Sequence, residues 1–168
     1  MELTAQKTVE LLLSENLKIA TAESCTGGLV AKLITDVSGA SCVFDCGIVS
    51  YSNDIKNSLL GVPEDILTTY GAVSEETVRF MSEGVKKLSG ADITVAISGI
   101  AGPSSDSTDK PVGLIWLAVN FNGTITTKKL LNNFTDNVRD NNRKSAAKQA
   151  LELVCSVLSA NKGGANNG

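Results

Sequence analysis

Candidate catalytic and binding residues lie in three short polar segments, each of which directly follows an apolar stretch. They combine hydroxyl, thiol, amine and amide side chains with glycines, and the set is Ser24, Cys25, Thr26, Gly27, Gly28, Tyr51, Asn53, Lys56, Ser98, Gly99 and Gly102. Glycine lets the main chain approach a ligand closely, and a strand that opens directly into a helix directs unpaired N–H groups at an anion. The segment 24–28 therefore predicts a phosphate-binding turn, a nucleophile or both.

The chain has no histidine, which narrows the chemistry open to these segments. Without imidazole there is no Ser-His-Asp or Cys-His pair, and the usual zinc ligand set is lost. Any hydrolytic reaction must take its proton-transfer group from Lys, Tyr, Asp or Glu. Lys56 would act as a base if a closed cleft desolvates its amine and lowers the pKa of that amine towards neutrality. The alternative interpretation of Lys56 is an ordinary solvated surface charge.

The elements that must position these residues follow from hydrophobic periodicity and turn residues. The pattern predicts helices over 2–15, 29–37, 53–60, 74–90 and 138–160, a further helix opened by Pro63, and strands over 17–22, 43–51, 93–98, 112–120 and 125–131. Asn122-Gly123 indicates a hairpin between the last two strands. The order favours an α/β fold, a three-layer α/β/α sandwich with a mixed sheet. If the first three strands are parallel, the three polar segments meet around one cleft at their carboxyl ends.

Length and composition limit the class of protein. The 168 residues suit a single domain, predicted over residues 1–160, with a disordered tail over residues 161–168. A net charge of −3 and only seven aromatic residues disfavour nucleic-acid binding, and no apolar run reaches the roughly 20 residues of a membrane span. Residues 1–15 lack the basic start and apolar centre of a signal peptide, so we expect a cytoplasmic protein.

Four further predictions concern individual side chains. Thr4 is expected to cap the first helix, and Leu88 to lie on the buried face of the helix over 74–90. Glu23 is expected to fix its turn by accepting backbone N–H bonds, with no role in proton transfer. The cysteines include no CxxC pair, so scattered buried thiols are expected and Cys42-x3-Cys46 alone predicts no metal site.

Five spaced motifs, in order along most of the chain, resemble those of the CinA C-terminal domain family, the nicotinamide-nucleotide amidohydrolases also called PncC. The motifs are Thr21-Ala-Glu-Ser-Cys-Thr-Gly-Gly28, Tyr51-Ser-Asn-x-x-Lys56, Gly71-Ala-Val-Ser74, Ile97-Ser-Gly-Ile-Ala-Gly-Pro103 and Lys110-Pro-Val-Gly113. The resemblance implies hydrolysis of the carboxamide of nicotinamide mononucleotide to nicotinate mononucleotide and ammonia, without a metal or other cofactor. It also implies a homodimer.

The resemblance assigns roles residue by residue. It places the serine nucleophile of the family on Ser24 and its lysine base on Lys56, with the catalytic Tyr51 close by. A basic residue of the last helix falls on Arg139, whose forked guanidinium suits the nucleotide phosphate. The other substrate-binding residues in this interpretation are Cys25, Thr26, Gly27, Gly28, Asn53, Ser98, Gly99 and Gly102.

Several of these assignments have an alternative. Ser24 is either the nucleophile or a helix cap, and Cys25 is the alternative nucleophile if a cation or a helix terminus lowers the pKa of its thiol. Tyr51 is either a core aromatic residue or a proton relay between Ser24 and Lys56. For the whole chain, the alternatives are a pyridine-nucleotide-binding module without catalysis and an amidase that acts on another small carboxamide.

The sequence departs from the family pattern at two points. The loop after Pro103 is usually glycine-rich in the family, but here residues 104–109 read Ser-Ser-Asp-Ser-Thr-Asp, with Asp109 where the family commonly has Glu. We expect this loop to alter substrate affinity or loop closure. The extra N-terminal domain of longer CinA proteins does not occur in this sequence, so we expect none of the activity of that domain.

Overall fold

The computed structural model describes residues 1–105 and 108–165, with side chains through Asn161. Within these residues the helices are α1 (Glu2–Glu15), α2 (Leu29–Thr35), α3 (Asn53–Leu60), α4 (Glu64–Thr69), α5 (Glu75–Ser89) and α6 (Val138–Ala165). The strands are β1 (Ile19–Glu23), β2 (Phe44–Val49), β3 (Ile93–Gly99), β4 (Leu114–Phe121) and β5 (Thr124–Leu131), and a short 3₁₀-helix spans Ala40–Cys42.

The five strands form one mixed sheet in the order β2-β1-β3-β4-β5. β1 runs parallel to both β2 and β3, whereas β4 pairs antiparallel with β3 and with β5. The last two strands form the predicted hairpin, in which Asn122 (φ 52°) and Gly123 (φ 85°) adopt the left-handed conformation that a tight two-residue turn requires. The predicted α/β fold with a mixed sheet and a C-terminal hairpin is confirmed.

Helices cover both faces of the sheet because the buried strands alternate side chains between two cores. On one face, Ile93, Val95 and Ile97 of β3 contribute to a core formed with α1, α2 and α6. On the other face, small residues such as Ala20, Ala22, Ala96 and Ala118 pack against α5 and the end of α3. Each face of the sheet therefore has its own core, which is the predicted three-layer α/β/α arrangement.

The short helix α3 is held firmly, and it carries a residue of the predicted site. Ser52 caps it by accepting a hydrogen bond from the N–H of Ile55 (3.2 Å), and Gly61 ends it in the left-handed conformation. Gly84 of α5 packs directly against its last residue, since a Cβ at position 84 would lie 2.0 Å from the carbonyl oxygen of Leu60. The position of Lys56 on α3 is thus set by a cap and by close helix packing.

Some local predictions were wrong. α1 begins at Glu2, so Thr4 lies inside the first turn and does not cap the helix; its carbonyl accepts a bond from the Thr8 hydroxyl instead. Leu88 is 53% exposed, because it lies near the end of α5 where the helix leaves the sheet-facing core. α6 continues to Ala165, beyond its predicted end at position 160, and residues 166–168 of the predicted tail lie outside the described residues.

Candidate active site

The three polar segments meet because the strands before them are parallel neighbours. The N–H of Ser24, just after β1, donates to the carbonyl of Ile97 in β3 (2.9 Å), and the N–H of Ser50, just after β2, donates to the carbonyl of Glu23 (2.8 Å). These bonds continue the sheet one residue past its strand ends. The loops after β1, β2 and β3 therefore leave the same edge of the sheet side by side, as predicted.

Ser24 and Lys56 are joined by a hydrogen bond at this edge. The two residues are 32 positions apart in the sequence, yet Lys56 Nζ lies 3.1 Å from Ser24 Oγ. The same amine donates to the carbonyl oxygen of Ser50 (2.8 Å). Ser24 is 8% exposed and Lys56 only 1% exposed, so Lys56 is not the solvated surface lysine of the alternative interpretation.

Burial changes the protonation of this lysine. Desolvation lowers the pKa of Lys56 from 10.5 to about 8, against a smaller raising effect of Cys25. With this pKa, about one-tenth of the amine is neutral at pH 7. When the amine is neutral, one N–H still donates to Ser50 and the lone pair can accept the proton of the Ser24 hydroxyl. The pair has the geometry and the pKa of a nucleophile with its general base.

Cys25, the alternative nucleophile, has the opposite electrostatics. Its side chain is buried, and desolvation, with a further contribution from the negative charge of Glu23, raises the pKa of the thiol to about 12. The positive charges of Lys56 and Arg143 act in the other direction but are weaker. Because the reactive form of cysteine is the thiolate, these surroundings favour Ser24 as the nucleophile.

The carboxylate of Glu23 occupies the N-terminus of α2. Its two oxygens accept hydrogen bonds from the backbone N–H groups of Gly28 (3.1 Å), Val30 (3.1 Å) and Ala31 (2.8 Å). Glu23 is 1% exposed, so its side chain takes the place of an external ligand at the N-terminal end of the helix. The prediction that Glu23 fixes the turn is confirmed. The phosphate-binding alternative for residues 24–28 stays a prediction, and the N–H groups of Gly28, Val30 and Ala31 already donate to Glu23.

Most of the predicted site residues line one open cleft of about 830 Å³. Those that line it are Ser24, Cys25, Tyr51, Asn53, Lys56, Ser98, Gly99, Gly102 and Arg139. Of the described residues predicted for the site, Thr26, Gly27 and Gly28 do not line the cleft. Thr26 is fully buried, and Gly27 and Gly28 shape the turn through positive φ values of 60° and 91°. These three residues belong to the turn that carries Ser24 and lie outside the cleft.

The loop after β3 forms one wall of the cleft. Ser98 Oγ donates to the carbonyl of Ala72 (2.7 Å), which ties this wall to the turn before α5. Gly99 allows close packing of the strands, because a Cβ there would lie 2.6 Å from the side chain of Ile115. Gly102 adopts a φ of 84°, and a Cβ there would lie 2.6 Å from the side chain of Val112. Both glycines are therefore required by the geometry of this wall.

Arg139 and Tyr51 lie together at the mouth of the cleft. Two nitrogens of the Arg139 guanidinium donate to the carbonyl of Gly102 (2.9 Å) and to the hydroxyl of Tyr51 (2.8 Å). Tyr51 is 59% exposed, so its interpretation as a core aromatic residue was wrong. Its hydroxyl bonds to Arg139, and the role of Tyr51 as a relay between Ser24 and Lys56 stays a prediction.

Sequence reasoning missed two residues that contact the site loops. Arg143 donates to the carbonyl of Thr26 (2.8 Å), and the buried Asn142 donates to the carbonyl of Ala101 (3.0 Å). Arg143 follows Arg139 by four positions, which places both on the same face of a helix. That spacing was the available signal for Arg143; nothing in the sequence distinguished Asn142 from the neighbouring asparagine.

The described residues add two negative findings. Within residues 1–105 and 108–165, no group of three or more Asp, Glu, Cys or His side chains is placed to hold a metal ion. Among the same residues, none of the helices has the length and apolar character needed to cross a membrane.

Fold and cleft together define a three-layer α/β protein with a buried serine–lysine pair at the carboxyl edge of its parallel strands. The sequence model of the CinA C-terminal domain matches residues 1–158. The chain therefore belongs to the CinA C-terminal domain family, which confirms the resemblance noted from the motifs.

Similar proteins agree with this membership. The chain is 51% identical to a CinA-like protein of Akkermansia muciniphila over 140 residues, which are 83% of this chain and 33% of that protein. It resembles the crystal structure of the competence/damage inducible protein CihA from Agrobacterium tumefaciens, with 40% identity and a TM-score of 0.88 over 94% of each chain. A CinA superfamily protein from Klebsiella pneumoniae has 33% identity and a TM-score of 0.90, covering 95% of this chain and 98% of that one.

The curated relatives are much longer than this chain, which spans about a third of their length. Their names describe them as CinA-like or as putative competence-damage inducible proteins. Those names identify the family without giving a reaction. One fold can support unrelated activities, so the reaction depends on the chemistry of the cleft.

Proposed function

We propose that this protein is an amidohydrolase that converts nicotinamide mononucleotide to nicotinate mononucleotide and ammonia, with Ser24 as nucleophile and Lys56 as general base. The observation that carries the proposal is the 3.1 Å hydrogen bond between Lys56 Nζ and Ser24 Oγ in a buried position that opens onto the cleft. The lowered pKa of Lys56 supports it, since a base must be partly neutral at the working pH. The family resemblance supplies the substrate.

In the first step neutral Lys56 takes the proton of the Ser24 hydroxyl while Ser24 Oγ bonds to the carboxamide carbon. The negative charge then moves to the former carbonyl oxygen. Within the described part of the chain, the N–H groups of Cys25 and Thr26 donate to no backbone oxygen. The N–H of Cys25 lies against its own thiol, and we assign both groups to this oxyanion. The N–H of Gly27 donates to the carbonyl oxygen of Ser24, and the N–H of Gly28 donates to Glu23. These two groups are therefore not available to the oxyanion.

In the second step protonated Lys56 returns its proton to the departing nitrogen. The C–N bond breaks, ammonia leaves, and the substrate acyl group remains as an ester on Ser24. A water molecule then attacks the ester carbon, with Lys56 again accepting a proton. The C–O bond to Ser24 breaks, the serine regains its hydrogen, and the acid product leaves. One lysine therefore serves all proton transfers in this scheme, and the chain has no histidine that could share them.

Arg139 is the proposed contact for the substrate phosphate. It lies at the cleft mouth, and its bonds to Gly102 and Tyr51 use two of its five N–H donors. The remaining donors of the planar guanidinium match two phosphate oxygens. Since Glu23 fills the N-terminus of α2, the phosphate has no competing site there.

The proposal includes a homodimer, as the family resemblance implies. Ile55 and Leu59 are spaced four residues apart on α3 and are 41% and 45% exposed, which leaves apolar surface on the helix that carries Lys56. Sedimentation velocity at micromolar concentration should give twice the 17.5 kDa mass of the chain. A mass of one chain over the whole concentration range would contradict this part of the proposal.

A panel of small carboxamides, with detection of released ammonia, tests the reaction. We expect ammonia from nicotinamide mononucleotide, none from Ser24→Ala, and full activity from Lys32→Met. Lys32 is a matched control because it is an exposed helical lysine, paired with Asp36. Binding of the nucleotide without turnover would favour a non-catalytic binding module, and turnover of a different carboxamide would favour another amidase.

A further inference from the structure

The first two turns of α6 contact all three loops that follow the parallel strands. Arg143 donates to the carbonyl of Thr26 (2.8 Å), in the turn after β1. Asn142 Nδ2 donates to the carbonyl of Ala101 (3.0 Å), in the loop after β3, and Arg139 donates to the next carbonyl of that loop and to Tyr51 after β2. One rigid helix thus holds the segments that carry the nucleophile, one cleft wall and the cleft mouth.

The contact of Asn142 is built into the interior. Asn142 is 1% exposed, and its Oδ1 accepts a hydrogen bond from Asn132 Nδ2 (3.1 Å), which follows β5. The backbone N–H of Asn132 in turn donates to the carbonyl of Gly113 (3.0 Å), just before β4. The amide of Asn142 therefore has a partner on both of its polar atoms, and the start of α6 is fixed to the base of the hairpin.

The contact of Arg143 acts on the nucleophile turn. A guanidinium is a charged donor, and such hydrogen bonds are stronger than neutral ones. Because a peptide unit is planar, holding the Thr26 carbonyl also fixes the Thr26–Gly27 peptide plane. Thr26 is two residues after Ser24, and its own N–H is one of the two proposed oxyanion donors. A shift of this turn would move the nucleophile and that donor relative to Lys56, which is held separately by α3.

We propose that Arg143 and Asn142 are positioning residues that hold the Ser24 turn and the wall after β3 in register with Lys56. This inference rests on the proposed function for its kinetic consequence, while the mechanical coupling is independent of the reaction. Arg143 does not line the cleft among the described residues, so its effect on the reaction passes through Thr26. The expected signature is a loss in kcat without a matching loss in substrate binding.

The test compares Arg143→Met with Lys144→Met in the full chain. Lys144 is the next residue of α6 and is exposed, with its amine paired to Asp140 on the same helix, so its variant removes a cation without touching the loops. We expect Arg143→Met to lower kcat about tenfold with KM within about twofold of the original value. Arg143→Lys, which keeps a charged donor, should recover part of the loss, and Lys144→Met should match the unmodified protein.

Hydrogen exchange measured by mass spectrometry separates the coupling from the reaction. In Arg143→Met, the amides of residues 24–31 should exchange faster than in the unmodified protein, and the amides of β4 should exchange at the same rate. In Lys144→Met, all amides should exchange as in the unmodified protein. Asn142→Asp, which loses the donor to Ala101, should accelerate exchange in residues 99–103. Unchanged exchange in 24–31 for Arg143→Met, or a KM increase that accounts for the whole kinetic loss, overturns the inference. Absence of deamidation in the unmodified protein would instead refute the proposed function, and the exchange result would still decide the coupling.

Discussion

Replacement of Lys56 by methionine should separate two properties of this lysine. One is the unfolding free energy lost by burying its charge, and the other is its contribution to ammonia release. In the folded protein burial lowers the pKa of Lys56 from 10.5 to about 8. Below pH 8 both folded and unfolded chains carry the proton, and folding must desolvate the charge. The difference between the two pKa values corresponds to roughly 3 kcal/mol of lost stability. As the pH rises from 8 to 10.5 the folded protein releases its proton first, so this penalty disappears.

Methionine has a similar length and no charge, so Lys56→Met lacks the penalty. It also loses the hydrogen bonds to Ser24 and Ser50, at about 1 kcal/mol each. The variant should therefore be more stable than the original by about 1 kcal/mol at pH 7 and less stable by about 2 kcal/mol above pH 10.5. Ammonia release from nicotinamide mononucleotide should fall by a factor of about 10² to 10⁴.

Urea unfolding of both proteins between pH 7 and pH 11 measures this change of sign. Lys32→Met is the control, because that lysine is exposed and its variant should show a nearly constant difference in unfolding free energy. A difference for Lys56→Met that does not vary with pH would refute the lowered pKa. Lys56 would then be fully protonated at neutral pH and could not act there as a base.

Five further outcomes are expected. The kcat of the unmodified protein should rise with pH and level off above a midpoint near 8, as the Lys56 amine loses its proton, in a pH–rate profile. Ser24→Ala should fold normally by circular dichroism yet release no ammonia, whereas Cys25→Ala should keep most activity because the thiol is protonated. Glu23→Gln should lower the unfolding free energy by about 2 kcal/mol and reduce kcat, since an amide cannot accept all three N–H groups; an unchanged melting curve would contradict this. Gly84→Ala should cost roughly 2 kcal/mol in urea unfolding, since its Cβ would clash with the backbone of Leu60.

Much of the fold followed from local patterns in the sequence. Apolar periodicity predicted the order of strands and helices, and Asn122-Gly123 predicted the hairpin, because those signals come from neighbouring residues. One error falls where distant packing decides. Leu88 continues the helical stripe but has no core to face. The end of α6 is a local error, since the helix continues past position 160 to Ala165.

The candidate site was predictable in its residue types and less so in its electrostatics. The three segments after the parallel strands contain half of the residues that line the cleft. The sequence predicted that Glu23 accepts backbone N–H bonds, but it could not show that the donors would be Gly28, Val30 and Ala31 at the start of α2, because that depends on the path of the turn. The contact of Arg143 with Thr26, 117 positions apart, equally depends on how α6 packs.

The sequence alone determined that any acid–base chemistry must proceed without imidazole, and it placed Ser24 and Lys56 in polar segments that follow two predicted strands. Only the tertiary structure decided that these two groups are 3.1 Å apart and shielded from water. The physical reason is that residue type sets which proton a group can carry, whereas the free energy of carrying it depends on solvation and neighbours. Those are supplied by segments that meet only when the chain is folded.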